Sequence, residues 1–177
     1  MLLTAESSAL LVIDLQERLM PAIHDGPAVV AATVRMARAA ALLDVPVCAT
    51  EQNPAGLGGT VAEVAAFPQL VMAKTAFSAA ADPGFATLLP PGVEEVVVAG
   101  AEAHVCVLQT VLGMLARRQR VLLVADAVGS RSPADRDVAI DRMRRHGAEV
   151  VTSEMVLFEW LRDSLHPRFR EVHALLR

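Results

Sequence analysis

The chain has 177 residues, a formal net charge of −4 and 54% apolar but only 3% aromatic residues. That length fits a single domain, 1–177, with a sizeable core. The acidic balance speaks against nucleic acid, and apolar runs of about six residues fall far short of the roughly 20 that cross a bilayer.

Short β-branched runs at 9–14, 45–50, 69–73, 94–99, 120–125 and 148–152 predict six strands. None alternates polar with apolar, so both faces of each strand are expected to be covered, as in a parallel sheet between helices. Between the first two runs, AVVAATVRMARAAALL predicts a crossover helix with Val30, Val34, Ala37 and Ala41 near its inner face. After the fourth run, residues 104–118 predict the next helix. Ser132, Pro133 and Asp135 form an N-cap, a first-turn proline and an early acid ahead of a helix that Gly147 closes. SEMVLFEWLRDSL and, beyond the His166-Pro167 break, FREVHALL complete a three-layer α/β/α sandwich around a doubly wound parallel sheet of about six strands.

Composition adds further expectations. The N-terminal MLLTAESS carries no basic segment ahead of a long apolar one, so a cytoplasmic location is expected. Cys48 and Cys106 are read as free thiols, Cys48 as core. No glycine-rich phosphate loop follows a strand, and no cofactor is expected. An apolar composition rich in Ala, Val and Leu leaves room for an apolar subunit interface, and a homo-oligomer is expected.

Three polar residues stand where apolar runs end: Asp14 after ALLVI, Lys74 after QLVMA and Cys106 just beyond EEVVVAG. A parallel sheet brings such ends to one crevice, where an acid, an ammonium and a thiol can converge on one small substrate. A thiol near the first turn of a helix and beside an ammonium is expected to have a lowered pKa. Asp14 would then move protons, and backbone N–H groups of the GAEAHVC turn would hold an oxyanion. Each residue taken alone has an ordinary reading: a buried cysteine, a capping aspartate, a solvated lysine. Leu19, Leu57, Phe77 and Val105 are candidates for an apolar lining, and Gln16 and Gln52 could meet at the crevice. Arg131 could hold a substrate carboxylate, with a structural ion pair as the simpler role. His104 lies two residues from the thiol and so does not face it on a helix.

ALLVIDLQERL, KTAFSA and VVVAGAEAHVCVLQT resemble the three signature blocks of the isochorismatase-like cysteine hydrolases, and VPVCATEQNPAGLGGTV with DSLHPRFREVHALL resembles the subgroup of isochorismatase domain-containing proteins. The resemblance implies a triad of Asp14, Lys74 and Cys106, oxyanion donors at the backbone of Glu102 and Cys106, and a cis peptide between Ala101 and Glu102. It implies no metal, because the loop EQNPAGLGG lacks the histidines of the family's metal-binding members. Hydrolysis of a small amide or carbamoyl C–N bond through a thioester is the expected chemistry. The alternatives are vinyl ether cleavage that uses Asp14 without the thiol, and a non-catalytic oligomeric scaffold.

Overall fold

The computed structural model describes residues 1–176. In chain order its elements are β1 (Ser8–Ile13), α1 (Gly26–Leu42), β2 (Val47–Gln52), the single turns α2 (Pro54–Leu57) and α3 (Ala62–Ala65), and β3 (Leu70–Lys74). There follow α4 (Phe85–Leu88), β4 (Glu95–Ala101), a π-helical turn at Ala103–Val107, and α5 (Leu108–Ala116). The chain closes with β5 (Arg120–Gly129), α6 (Pro133–Arg145), β6 (Glu149–Val151), α7 (Ser153–Leu161) and α8 (Phe169–Ala174).

All six strands pair in parallel, in the order β3-β2-β1-β4-β5-β6. The chain winds outward from β1 to β3, then returns to the other side of β1 as β4, so the order reverses between β1 and β4. A crevice opens outside the carboxyl ends of strands at such a reversal. Successive residues of a strand face opposite sides, and the two cores follow that period. Leu10, Val12, Val97 and Ala99 pack under α1, α7 and α8, whereas Leu11, Ile13, Val96 and Val98 pack under α5 and α6. The α/β/α sandwich expected from the sequence is the fold found.

Local details depart from the sequence reading. On α1 the buried stripe runs through Val29, Ala32, Thr33, Met36 and Ala40, while Ala41 is exposed and Val30 and Val34 are half-buried. Alanines on several faces of a helix carry little directional signal, which left its rotation poorly determined. The stretch 104–118 divides into the π turn and α5, with the Val107 amide donating to the Glu102 carbonyl at 3.1 Å. β5 runs to Gly129, past the end expected at 125, because its pairing with β4 slips between Val98 and Gly100 and then resumes. Gly100 has φ +132°, and a Cβ there would lie 2.0 Å from the Ile13 carbonyl oxygen. Only glycine lets β4 approach β1 that closely beside the crevice.

Candidate active site

Three chain segments end at the crevice. β1 stops at Ile13, and Asp14 turns away with φ +50° while its amide donates to the Thr50 carbonyl at 3.0 Å. Lys74 is the last residue of β3. Cys106 follows β4 inside the π turn, behind a cis peptide between Ala101 and Glu102.

The side chains of Asp14 and Lys74 are completely buried and form an ion pair, with Lys74 Nζ 2.7 Å from Asp14 Oδ2. A buried ammonium needs an acceptor for each of its three protons. Lys74 has three: Asp14 Oδ2, Gln52 Oε1 at 2.8 Å and the Phe77 carbonyl at 3.2 Å. The other carboxylate oxygen of Asp14 accepts from Thr50 Oγ1 at 2.7 Å. Thr50 escaped the sequence reading, although it stands at the end of the VPVCAT run just as Asp14 ends its own.

Cys106 is buried against the core beneath α5 and interacts with both members of the ion pair. Burial pushes its thiol up from 9.0 to about 12, the nearby Asp14 charge acts in the same direction, and the Lys74 charge only partly opposes them. The expected lowering of the thiol pKa is therefore reversed. The helix that was to supply N-terminal N–H groups begins two residues later, at Leu108, and the desolvated thiol faces a carboxylate as well as an ammonium. Cys48, pushed up to about 11 by burial, donates from Sγ to the Leu88 carbonyl at 3.1 Å and lies in the core, as expected. Both shifts keep protons on the folded chain that the unfolded chain releases, so stability is expected to fall above about pH 9, by at most about 1.4 kcal/mol per pH unit for each thiol. Urea unfolding at pH 8 and 10 checks this, and Cys48→Ala should flatten the decline.

The other candidates separate. Gln16 and Gln52 do meet: Gln16 Oε1 accepts from the Gln52 amide at 2.8 Å, and Gln16 Nε2 donates to the Gln52 carbonyl at 3.1 Å and to the Gly58 carbonyl at 2.7 Å. Phe77 contributes its carbonyl to Lys74 and is itself 53% exposed. Val105 packs against the core that holds Cys106, whereas Leu19 packs on the α1 side of the sheet and Leu57 is half-buried in α2. Arg131, with its side chain 63% exposed, pairs through Nε with Glu102 Oε1 at 2.8 Å, and its amide donates to the same oxygen at 3.2 Å. His104 Nδ1 lies 3.0 Å from Ser130 Oγ. Among the described residues, no group of three or more His, Cys, Asp and Glu side chains is arranged to hold a metal ion. A hollow of about 980 Å³ lies over α1, lined by Pro21, Val34 and Leu175 among others, away from the ion pair.

The Isochorismatase domain model matches residues 8–155. Isochorismatase domain-containing protein 2A of Mus musculus is 41% identical over 97% of this chain and 84% of its own length. A solved structure of MAR1 ribonuclease from Caenorhabditis elegans superposes with a TM-score of 0.93 and 38% identity, covering 99% of this chain and 92% of that one. The Escherichia coli YcaC product, described as an octameric hydrolase of unknown specificity, shares the fold with a TM-score of 0.87 at 24% identity, covering 99% and 87% of the two chains. With the family model matched over residues 8–155 and the mouse relative 41% identical over 97% of this chain, the chain belongs to the isochorismatase-domain family.

Proposed function

We propose that the protein is a hydrolase that cleaves a small amide or carbamoyl-type C–N bond through a thioester on Cys106. The observation that carries this reading is the buried Asp14–Lys74 ion pair set against the Cys106 thiol. The thiol is protonated at neutral pH, so a base must act as it attacks, and Asp14 is the carboxylate beside it. The thiol proton passes to Asp14, sulfur bonds to the substrate carbonyl carbon, and the oxyanion is held by the backbone N–H groups of Glu102 and Cys106. Collapse of this adduct breaks the C–N bond, and the amine leaves with the proton from Asp14. Water, deprotonated by Asp14, then attacks the thioester, the C–S bond breaks to release the acid, and Asp14 returns the proton to sulfur. Lys74 stays charged throughout and offsets the negative charge that moves among Asp14, sulfur and the oxyanion.

The test is turnover by wild type and Cys106→Ala over a panel of small amides, carbamoyl compounds and a vinyl ether, with an RNA oligonucleotide included because of the Caenorhabditis elegans relative. Cys106→Ala is expected to abolish C–N cleavage while keeping the wild-type melting temperature within a few degrees. C–N cleavage that survives in Cys106→Ala sinks the mechanism. Vinyl ether cleavage is the second reading, favoured by the protonated state of the thiol. In that chemistry Asp14 is the acid, and Cys106→Ala would keep activity. A homo-oligomer fits the apolar side chains exposed along β3, Leu70 and Val71, and light scattering measures it directly.

A further inference from the structure

The three acceptors around Lys74 differ in how they are fixed. The Phe77 carbonyl belongs to an exposed turn and is the most distant, at 3.2 Å. Asp14 must change charge if it takes the thiol proton. Gln52 does neither. Its Nε2 donates to the Thr75 carbonyl at 2.7 Å, which fixes the amide so that Oε1 faces the ammonium; the reversed amide would set N–H groups against Lys74 Nζ and oxygen against oxygen. Its backbone is held at both ends by the fully buried side chain of Gln16, two residues beyond Asp14. The end of β2 is thereby tied to the same turn that carries the carboxylate.

The count of protons on Lys74 then matters. With all three N–H bonds directed at Asp14, Gln52 and Phe77, none is aimed solely at Cys106 in the resting state. Building on the hydrolase reading, we infer that Gln52 is a positioning residue: the fixed pivot about which the Lys74 ammonium transfers one hydrogen bond from Asp14 to the Cys106 sulfur. When the thiol proton reaches Asp14, the neutral carboxyl becomes a weaker acceptor and the thiolate a stronger one. One N–H turns from oxygen to sulfur while Gln52 retains its own. No covalent bond of Lys74 breaks, and the only proton transferred is the one that leaves sulfur for Asp14.

The experiment needs no substrate. Iodoacetamide alkylation of Cys106 is followed by mass spectrometry from pH 6 to 9, with Cys48 as an internal control, in wild type and Gln52→Met. The charged and titratable groups facing Lys74 are Asp14 from the end of β1 and Cys106 from the π turn. Glu51, beside Gln52 on β2, is engaged through Oε1 by Thr60. A neutral-for-neutral exchange at Gln52 alters none of these charges, so any effect on the thiol passes through the placement of Lys74. Cys106 is expected to react roughly tenfold more slowly at each pH, with Cys48 unchanged. Rates that superimpose on wild type, or that rise at both cysteines, overturn the inference. Should Gln52→Met fail to fold, Gln52→Asn, which withdraws the acceptor by one methylene, is expected to slow Cys106 in the same way and is judged by the same outcomes. Failure of the hydrolase reading shows elsewhere, as C–N turnover that survives Cys106→Ala.

Discussion

Asp14→Asn is expected to abolish hydrolysis and, at the same time, to make Cys106 react faster with iodoacetamide near neutral pH. The two effects run in opposite directions because the carboxylate has two consequences for the thiol. As a base it accepts the proton that must leave sulfur, a contribution of typically 10²–10⁴-fold in rate. As a negative charge it also keeps that proton on sulfur, acting with burial to raise the thiol pKa. The isosteric amide removes the charge and leaves the Lys74 ammonium with the thiolate as its only counter-charge. Burial remains, so the thiol pKa falls part of the way from about 12 toward its ordinary value. Alkylation over pH 6 to 9, with Cys48 as reference, checks the sign; slower alkylation of Cys106 in Asp14→Asn would show that Asp14 does not face the thiol as described.

Lys74→Met is expected to cost about 3 to 5 kcal/mol of stability, the usual loss when one member of a buried ion pair is removed. Asp14 would then be a buried carboxylate whose Oδ2 has lost its ammonium, held only at Oδ1 by Thr50. Such a group is left buried without its compensating charge. Urea unfolding measures the loss. Removal of the ammonium also takes away the one influence that lowers the Cys106 pKa, so alkylation slows, opposite to its change in Asp14→Asn. In the double variant Asp14→Asn/Lys74→Met both buried charges are gone. Its stability is expected to lie above that of Lys74→Met alone, a coupling that independent sites would not show.

The sheet was legible because each strand is a short run apolar on both faces, and Asp14, Lys74 and Cys106 were legible because each polar group interrupts the end of such a run. Strand-end position is a property of the sequence; depth below the surface is not. That difference explains the error at Cys106, where the polar neighbours were anticipated but the desolvation that outweighs Lys74 was not. It also explains Phe77, singled out for an apolar lining yet itself exposed, while its carbonyl holds the lysine. Main-chain groups carry no sequence signature. Gln16 and Gln52 were expected to meet at the crevice and do so, where the Gln16 side chain bonds to backbone alone and that of Gln52 to Lys74 and backbone. Leu19, expected near the crevice, packs on the α1 side of the sheet, whereas Cys106 lies in the core on the other side.

β3 lies at the margin of the sheet, bonded on one side only, with Leu70 and Val71 about half exposed and Lys74 its only buried residue. A border strand so thinly packed would ordinarily be the first part of a sheet to fray. Here fraying must pull an ammonium away from a buried carboxylate, so the ion pair fastens the border. The amide protons of β3 should therefore exchange with solvent more slowly than the strand's exposure suggests, and lose that protection in Lys74→Met. One interaction serves both the reaction centre and the outline of the fold, and a substitution that disables the first also loosens the second.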